Sequence, residues 1–137
     1  MYHNGEGIIP NKTTRIYWIH QDNPNLSISS QLDDTAGKWL IFIDKCDVDD
    51  AWRKIRDATH NGELGISAKV STAKDEHSDK KVIYVFTSNW EDVDDVMRVR
   101  EKLKQLGFVD RIGYKRNIET YEGEYRENGK KVTYYSA

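Results

Sequence analysis

The spacing of apolar residues changes period along the chain, and each change marks an element. Val48, Ala51, Trp52, Ile55 and Ala58 recur at intervals that place them on one face of a helix. Asp47 stands where it can accept hydrogen bonds from the first unpaired N–H groups, and Asn61-Gly62 supplies a C-terminal stop, so the pattern predicts a helix over about residues 48–60. Val93, Val96, Met97, Leu103 and Leu106 define a second amphipathic helix, with Asn89 as its cap and Gly107 as its stop. Between and around the helices the period is two, or the residues are continuously apolar. Residues 13–20 combine β-branched and aromatic side chains and end at the turn Gln21-Asp-Asn-Pro24, which predicts a strand followed by a polar loop over 25–36. Residues 37–44 form a short apolar run bounded by turn signals, the pattern of a central strand. Over 65–72, Ile66, Ala68 and Val70 alternate with Ser67, Lys69 and Ser71, so that strand has one apolar and one polar face. Residues 73–80 read as a hairpin loop and 82–87 as another central strand.

The tail has no helical period, but Asn128-Gly129 is a strong two-residue hairpin signal that pairs Tyr125 with Val132 and Arg126 with Lys131. Strands over about 109–115, 119–127 and 130–136 complete the order ββαββαβββ. Short links between strands and two helices able to cover one face predict an α+β fold with a curved, mainly antiparallel sheet. Residues 1–12, rich in Gly and polar groups, read as a flexible or loosely docked arm, and 13–137 as a single domain.

Composition narrows the functional classes. The 137 residues carry 21 Lys and Arg against 23 Asp and Glu, a formal net charge of −2, so the whole-molecule field does not attract polyanions and broad nucleic-acid coating is excluded. Any anion binding must be a local patch. Cys46, the single cysteine, rules out an intramolecular disulfide, no apolar run approaches a membrane span, and residues 1–10 lack a signal peptide's charged start and apolar stretch. The expectation is a soluble, cytoplasmic protein with no membrane partner.

Asp47, Asp49 and Asp50, and then Glu91, Asp92, Asp94 and Asp95, are hard oxygen donors. Both clusters fall in the first turn of a predicted helix, where carboxylates face the positive end of the macrodipole, so no metal site is assigned. His3, His20, His60 and His77 lack metal-ligand spacing, and Cys46 has no recognisable catalytic partner. Neither glycine-rich phosphate motif occurs. The informative feature is the sorting of cations and aromatic rings on the non-helical elements: Lys69 on its strand's polar face, Lys74 in the next loop, Tyr114-Lys115-Arg116, and Tyr121 with Tyr125-Arg126. Cations beside aromatic planes suit a phosphorylated, base-containing ligand, although the same residues also make ordinary cross-strand pairs on a solvated sheet.

Gly37-Lys-Trp-Leu40, Val48-Asp-Asp-Ala-Trp52, Gly65-Ile-Ser-Ala-Lys-Val-Ser-Thr72, Val82-Ile-Tyr-Val-Phe-Thr87 with Asp92 and Val93, and Tyr114-Lys115 followed by Thr120-Tyr121-x-Gly123-x-Tyr125-Arg126 resemble the Bles family, the domain typified by the basophilic-leukaemia-expressed protein. The chain departs from that pattern at Arg116 and Asn117, where Pro-Asp is usual, and at Glu119, where an aromatic is common. The family in turn resembles the cap-binding initiation factor 4E in fold, which implies helices on the convex side of the sheet and a ligand slot on the concave side. In those factors the strand matching that of Lys69 carries a basic residue that contacts the triphosphate. No matched pair of stacking tryptophans is present, so the resemblance does not imply cap binding itself.

The leading expectation is therefore a module that binds a phosphorylated or nucleotide-like small molecule on the concave face, without a cofactor. Lys69, Lys115 and Arg126 would contact the anion, and Trp18, Trp39, Tyr114 and Tyr121 are candidate aromatic walls. One alternative is a protein-interaction domain working through its helical face. Another follows from the phosphothreonine-lyase description that some family members carry; for that chemistry Lys69 with His60 or His77 are the candidate base and acid.

Overall fold

The computed structural model describes residues 5–25, 35–75, 79–118 and 134–137. Within them the elements follow in the order β1 (Trp18–Asp22), β2 (Gly37–Asp44), α1 (Val48–His60), β3 (Ser67–Ser71), β4 (Lys80–Thr87), α2 (Val93–Gln105), β5 (Gly113–Arg116) and β6 (Tyr135–Ser136). The strands make one curved antiparallel sheet with spatial order β1-β3-β4-β2-β5-β6. The α+β architecture is the one the changing period predicts. The hairpin expected at Asn128-Gly129 and the strand over 119–127 lie outside the described residues, as does the loop over 26–34.

Pairing of β2 with β4 runs unbroken from Gly37 opposite Thr87 to Asp44 opposite Lys80. Because side chains alternate across a strand, this register places Trp39, Ile41, Ile83 and Val85 on one face. Ile19, Ala68, Val70 and Tyr114 join them from the other strands, and the helices cover this layer with Val48, Ala51, Trp52 and Ile55 of α1 and Val96, Val99 and Leu103 of α2. Trp39 ties α2 to the sheet: its side chain is fully buried and its indole Nε1 donates to the Val96 carbonyl at 3.0 Å. Gly37 is required beside it, because a methyl group there would run into the Tyr114 phenol. That phenol shares a 2.6 Å hydrogen bond with the Thr87 hydroxyl, and burial pushes its pKa up to about 12.

A buried arginine organises the chain after α2. Arg100, 2% exposed, donates from Nε to the Ala137 carbonyl at 3.0 Å, from Nη1 to Phe108 at 2.7 Å and from Nη2 to Asp110 at 2.6 Å. The planar fork thus supplies donors to three carbonyls that flank β5 and β6, of which that of Ala137 also accepts the Ile112 N–H at 2.9 Å.

Local structure differs from the sequence expectations at the element ends. The segment before β1 is docked: Pro10–Lys12 forms a 3-10 turn with Pro10 buried, and the Asn11 N–H donates to Asp49 Oδ1 at 3.0 Å. Asn11 Nδ2 donates to the Lys45 carbonyl, and the Pro10 carbonyl accepts the Ala73 N–H at 3.0 Å. Strand β1 starts at Trp18 and not at Thr13, because the N–H groups of Thr14 and Arg15 are taken by the Glu6 carboxylate. Asp47 makes no side-chain cap on α1. The cap of α2 is Asp92, which accepts the Asp95 N–H at 3.2 Å, while Asn89 instead accepts the Glu91 N–H in the preceding turn.

Replacing Arg100 by Leu should lower the unfolding free energy by about 3 kcal/mol, since three carbonyls lose a charged donor at once. Urea unfolding of Arg100→Leu and Arg100→Lys checks this: the lysine variant, with one compact ammonium, is expected to recover only part of the loss.

Candidate functional site

The face opposite the helices is the candidate site. Its side chains fall into cross-strand rows set by the register. One row reads Asp22, Ser67, Phe86, Lys38 and Lys115, and the next reads His20, Lys69, Tyr84 and Leu40. A third holds Trp18 beside Ser71 and Val82 beside Phe42. Lys38, Lys69 and Lys115 therefore project from the concave face, interleaved with aromatic rings, and Lys80, paired with Asp44, lies further along it.

Lys69 sits at the middle of its short strand, where the Ser67, Lys69, Ser71 alternation points it away from the core. Its ammonium lies 4.3 Å from the Trp18 ring centroid and 5.3 Å from that of Tyr84. None of the ion pairs among the described residues involves it. Burial holds its pKa below the ordinary lysine value. His20 stands opposite in the ladder, and burial together with the Lys69 charge lowers its pKa, with Asp22 opposing. Lys38 is 5% exposed, donates to Asn117 Oδ1 at 3.3 Å, and lies 5.6 Å from the Tyr84 ring and 5.8 Å from Phe86. Tyr84 is thus flanked by two cations.

The rings of Trp18 and Tyr84 are 5.3 Å apart and inclined by 30°. A base inserted between two rings needs about 7 Å between their planes, twice the van der Waals contact of about 3.5 Å. The pair is therefore a continuous aromatic wall, and a planar ligand can stack on its outer side. A cleft of about 500 Å³ opens there, with a lining that includes Tyr17, Trp18, Phe42 and Tyr84 together with the charged Asp75 and Lys80. Phe42 and Tyr17 are 66% and 58% exposed.

Of the residues singled out from the sequence, the fold brings Lys69, Lys115 and Trp18 to this face. Trp39 and Tyr114 are instead fully buried on the helix-covered side, because they occupy the alternate positions of β2 and β5. Arg126 and Tyr121, like His77, lie outside the described residues. Arg116 shares the parity of Tyr114 and stacks near Trp90 and Tyr134, at 4.8 and 4.2 Å. His60 ends α1, so it does not share the sheet face of Lys69. The sequence pattern does not single out Lys38, Tyr84, Phe86 or Phe42 as site residues. They lie inside runs read as continuously apolar; the one signal was the period-two set Lys38, Leu40, Phe42 beside Trp39 and Ile41.

A curved antiparallel sheet backed by two helices and open on its concave side defines the fold class of the eIF4E proteins, and solved structures of that class match this chain. A schistosome eIF4E in complex with m7GpppA and 4E-BP superimposes with a TM-score of 0.58 and 16% identity, over 76% of this chain and 60% of that one. A C. elegans eIF4E-3 bound to the 4E-binding protein Mextli and a cap analog gives 0.60 and 14%, over 88% and 68%. An Ascaris suum eIF4E-3 with the m2,2,7G cap gives 0.53 and 18%, over 72% and 61%. The chain thus spans about three fifths of the length of the schistosome and Ascaris proteins. Within this class it belongs to the family described as Basophilic leukemia-expressed protein Bles03, whose pattern matches residues 22–123. Among the described residues no helix is long and apolar enough to cross a membrane.

The coupling of His20 to Lys69 gives a titration that can be followed. With its folded-state pKa below the unfolded value of 6.5, His20 is protonated first in the unfolded chain as pH falls, so its contribution opposes folding below that pH. Lys69→Met should raise the His20 midpoint part of the way toward 6.5, followed by NMR of the imidazole C–H signals, and should lessen the acid-side loss of stability. An unmoved midpoint would mean the two groups do not sense each other.

Proposed function

We propose that this protein is a small binding module that takes a phosphorylated, nucleotide-like ligand on the concave face of its sheet. The observation that carries the reading is the convergence of Lys38, Lys69 and Lys115 with Trp18, Tyr84 and Phe86 on the face without helices. Ammonium groups beside aromatic planes match the two parts of such a ligand, with phosphate oxygens taking the cations and a base stacking on the rings. The base would lie on the outer side of the Trp18–Tyr84 wall, in the cleft toward Phe42, with its phosphates directed back over Lys69 and toward Lys38 and Lys115. Arg126 and Tyr121 remain candidates to complete the site. A slightly acidic chain is compatible with this, because the charges that matter are local. The proteins that share the fold include ones crystallised with m7GpppA, a cap analog and the m2,2,7G cap, which supports the ligand class without naming the ligand. We also propose that it works in the cytoplasm.

A second reading, a protein partner on the helical face, draws on the 4E-BP and Mextli complexes of the same fold. The two readings use opposite faces of the sheet and separate cleanly by mutation.

Calorimetry with m7GpppA, ATP and a cyclic dinucleotide tests the ligand site. Binding is expected for at least one of them, and Lys69→Ala should weaken it by about tenfold, the loss of one charge-assisted contact. No heat at millimolar ligand, or equal affinity in the variant, would overturn the assignment, and a protein partner retained by Lys69→Ala would favour the helical face.

A further inference from the structure

Lys69 has the surroundings of a nucleophile as well as of an anion contact. We propose that its amine condenses with the aldehyde of a phosphorylated aromatic ligand, of which pyridoxal 5′-phosphate is the simplest probe, to form an imine on the concave face. The inference rests on the binding reading above and gives that ligand a reactive group.

Several lysines of this chain are held by oxygen: Lys45 by Asp79, Lys80 by Asp44, Lys102 by Glu63, and Lys81 by the Thr72 and Asp75 carbonyls. Lys69 differs. Its half-buried amine is held by the Trp18 and Tyr84 rings, with no carboxylate paired to it among the described residues. Ring faces favour the ammonium, whereas burial disfavours the charge and lowers the pKa of the amine. A lysine desolvated in an apolar notch is the usual setting for an amine nucleophile.

The remaining parts of the probe also find partners. Tyr84 lies between Lys69 and Lys38, with its centroid 5.3 Å from one ammonium and 5.6 Å from the other. An aromatic ring stacked over Tyr84 can therefore direct its aldehyde to Lys69 and its phosphate to Lys38, with Lys115 next to Lys38 in the same row. In the step itself the neutral Nζ adds to the aldehyde carbon, forming the C–N bond while the carbonyl oxygen takes up a proton. Nζ loses both of its protons in all, matched by two taken up on that oxygen: the first completes the carbinolamine hydroxyl, and the second lets it leave as water as the C–O bond breaks and the nitrogen lone pair closes the C=N bond, so amine and aldehyde yield imine and water with no oxidant or reductant. His20, opposite Lys69 in the ladder, can carry the proton between nitrogen and oxygen.

The experiment treats the full chain with one equivalent of pyridoxal 5′-phosphate, reduces with borohydride and maps the modified lysines by mass spectrometry. Pyridoxine 5′-phosphate, an alcohol that can bind but cannot condense, is run beside it by calorimetry. Lys69 is expected to take about tenfold more label than the exposed Lys12 and Lys54. Lys69→Arg should abolish the imine absorbance while keeping the fold by circular dichroism, and Lys38→Gln should weaken both probes. Label spread evenly over the lysines overturns the inference. If pyridoxine 5′-phosphate binds and competes with the nucleotide ligand but Lys69 stays unlabelled, the imine fails and the binding reading stands. If neither phosphate compound nor any nucleotide binds, both fail.

Discussion

A one-residue slip between β2 and β4 would undo most of this molecule. In the native register Trp39 faces the helices and Lys38 faces the opposite side; shifted by one, the ammonium would enter the dry layer and the indole would leave it. The penalty is large in both directions, since an unpaired charge buried among Val85, Val96 and Leu103 has no partner and Trp39 loses its bond to Val96. The pairing also extends sideways. β3 registers on β4 and β5 on β2, so the order of side chains in the concave rows follows from the same constraint. The site is an outcome of core packing on the other side of the sheet.

Arg100 performs the corresponding task at the end of the chain. Apolar packing alone cannot place the backbone around β5 and β6, because its carbonyls need donors wherever they are buried. One guanidinium supplies donors to Phe108, Asp110 and Ala137 and lies 5.9 Å from the Trp39 ring. The strand that carries Lys115 is therefore held from beneath by a residue that never reaches the concave face.

Likeness in fold to eIF4E proteins at 14–18% identity leaves the chemistry to the side chains of this chain. Here the aromatic wall is closed, with Trp18 and Tyr84 in contact and Lys69 resting on both. That arrangement favours stacking on an outer surface over insertion between two rings. Among the described residues the Lys69 amine has no carboxylate paired to it, so the rings set its surroundings. Both consequences are local, so neither follows from the sheet topology.

Helix limits were legible in the sequence because their signals are local. The bounds Val48–His60 follow from apolar spacing and the Asn61-Gly62 stop, and Lys69 was assigned to a polar face by simple alternation. Strand starts and caps were less so: β1 yields residues to Glu6, and Asp92 rather than Asn89 closes α2, since both depend on which acceptor arrives in space. The aromatic walls were legible only by half. Trp39 and Tyr114 look like ligand-stacking residues in a list of tryptophans and tyrosines, whereas Lys38 and Tyr84 are concealed within apolar runs. Alternation states that neighbours face opposite ways, and that much is carried by the chain. Which way faces the helices is settled when α1 and α2 pack, because burying the larger apolar set outweighs any preference of a single side chain.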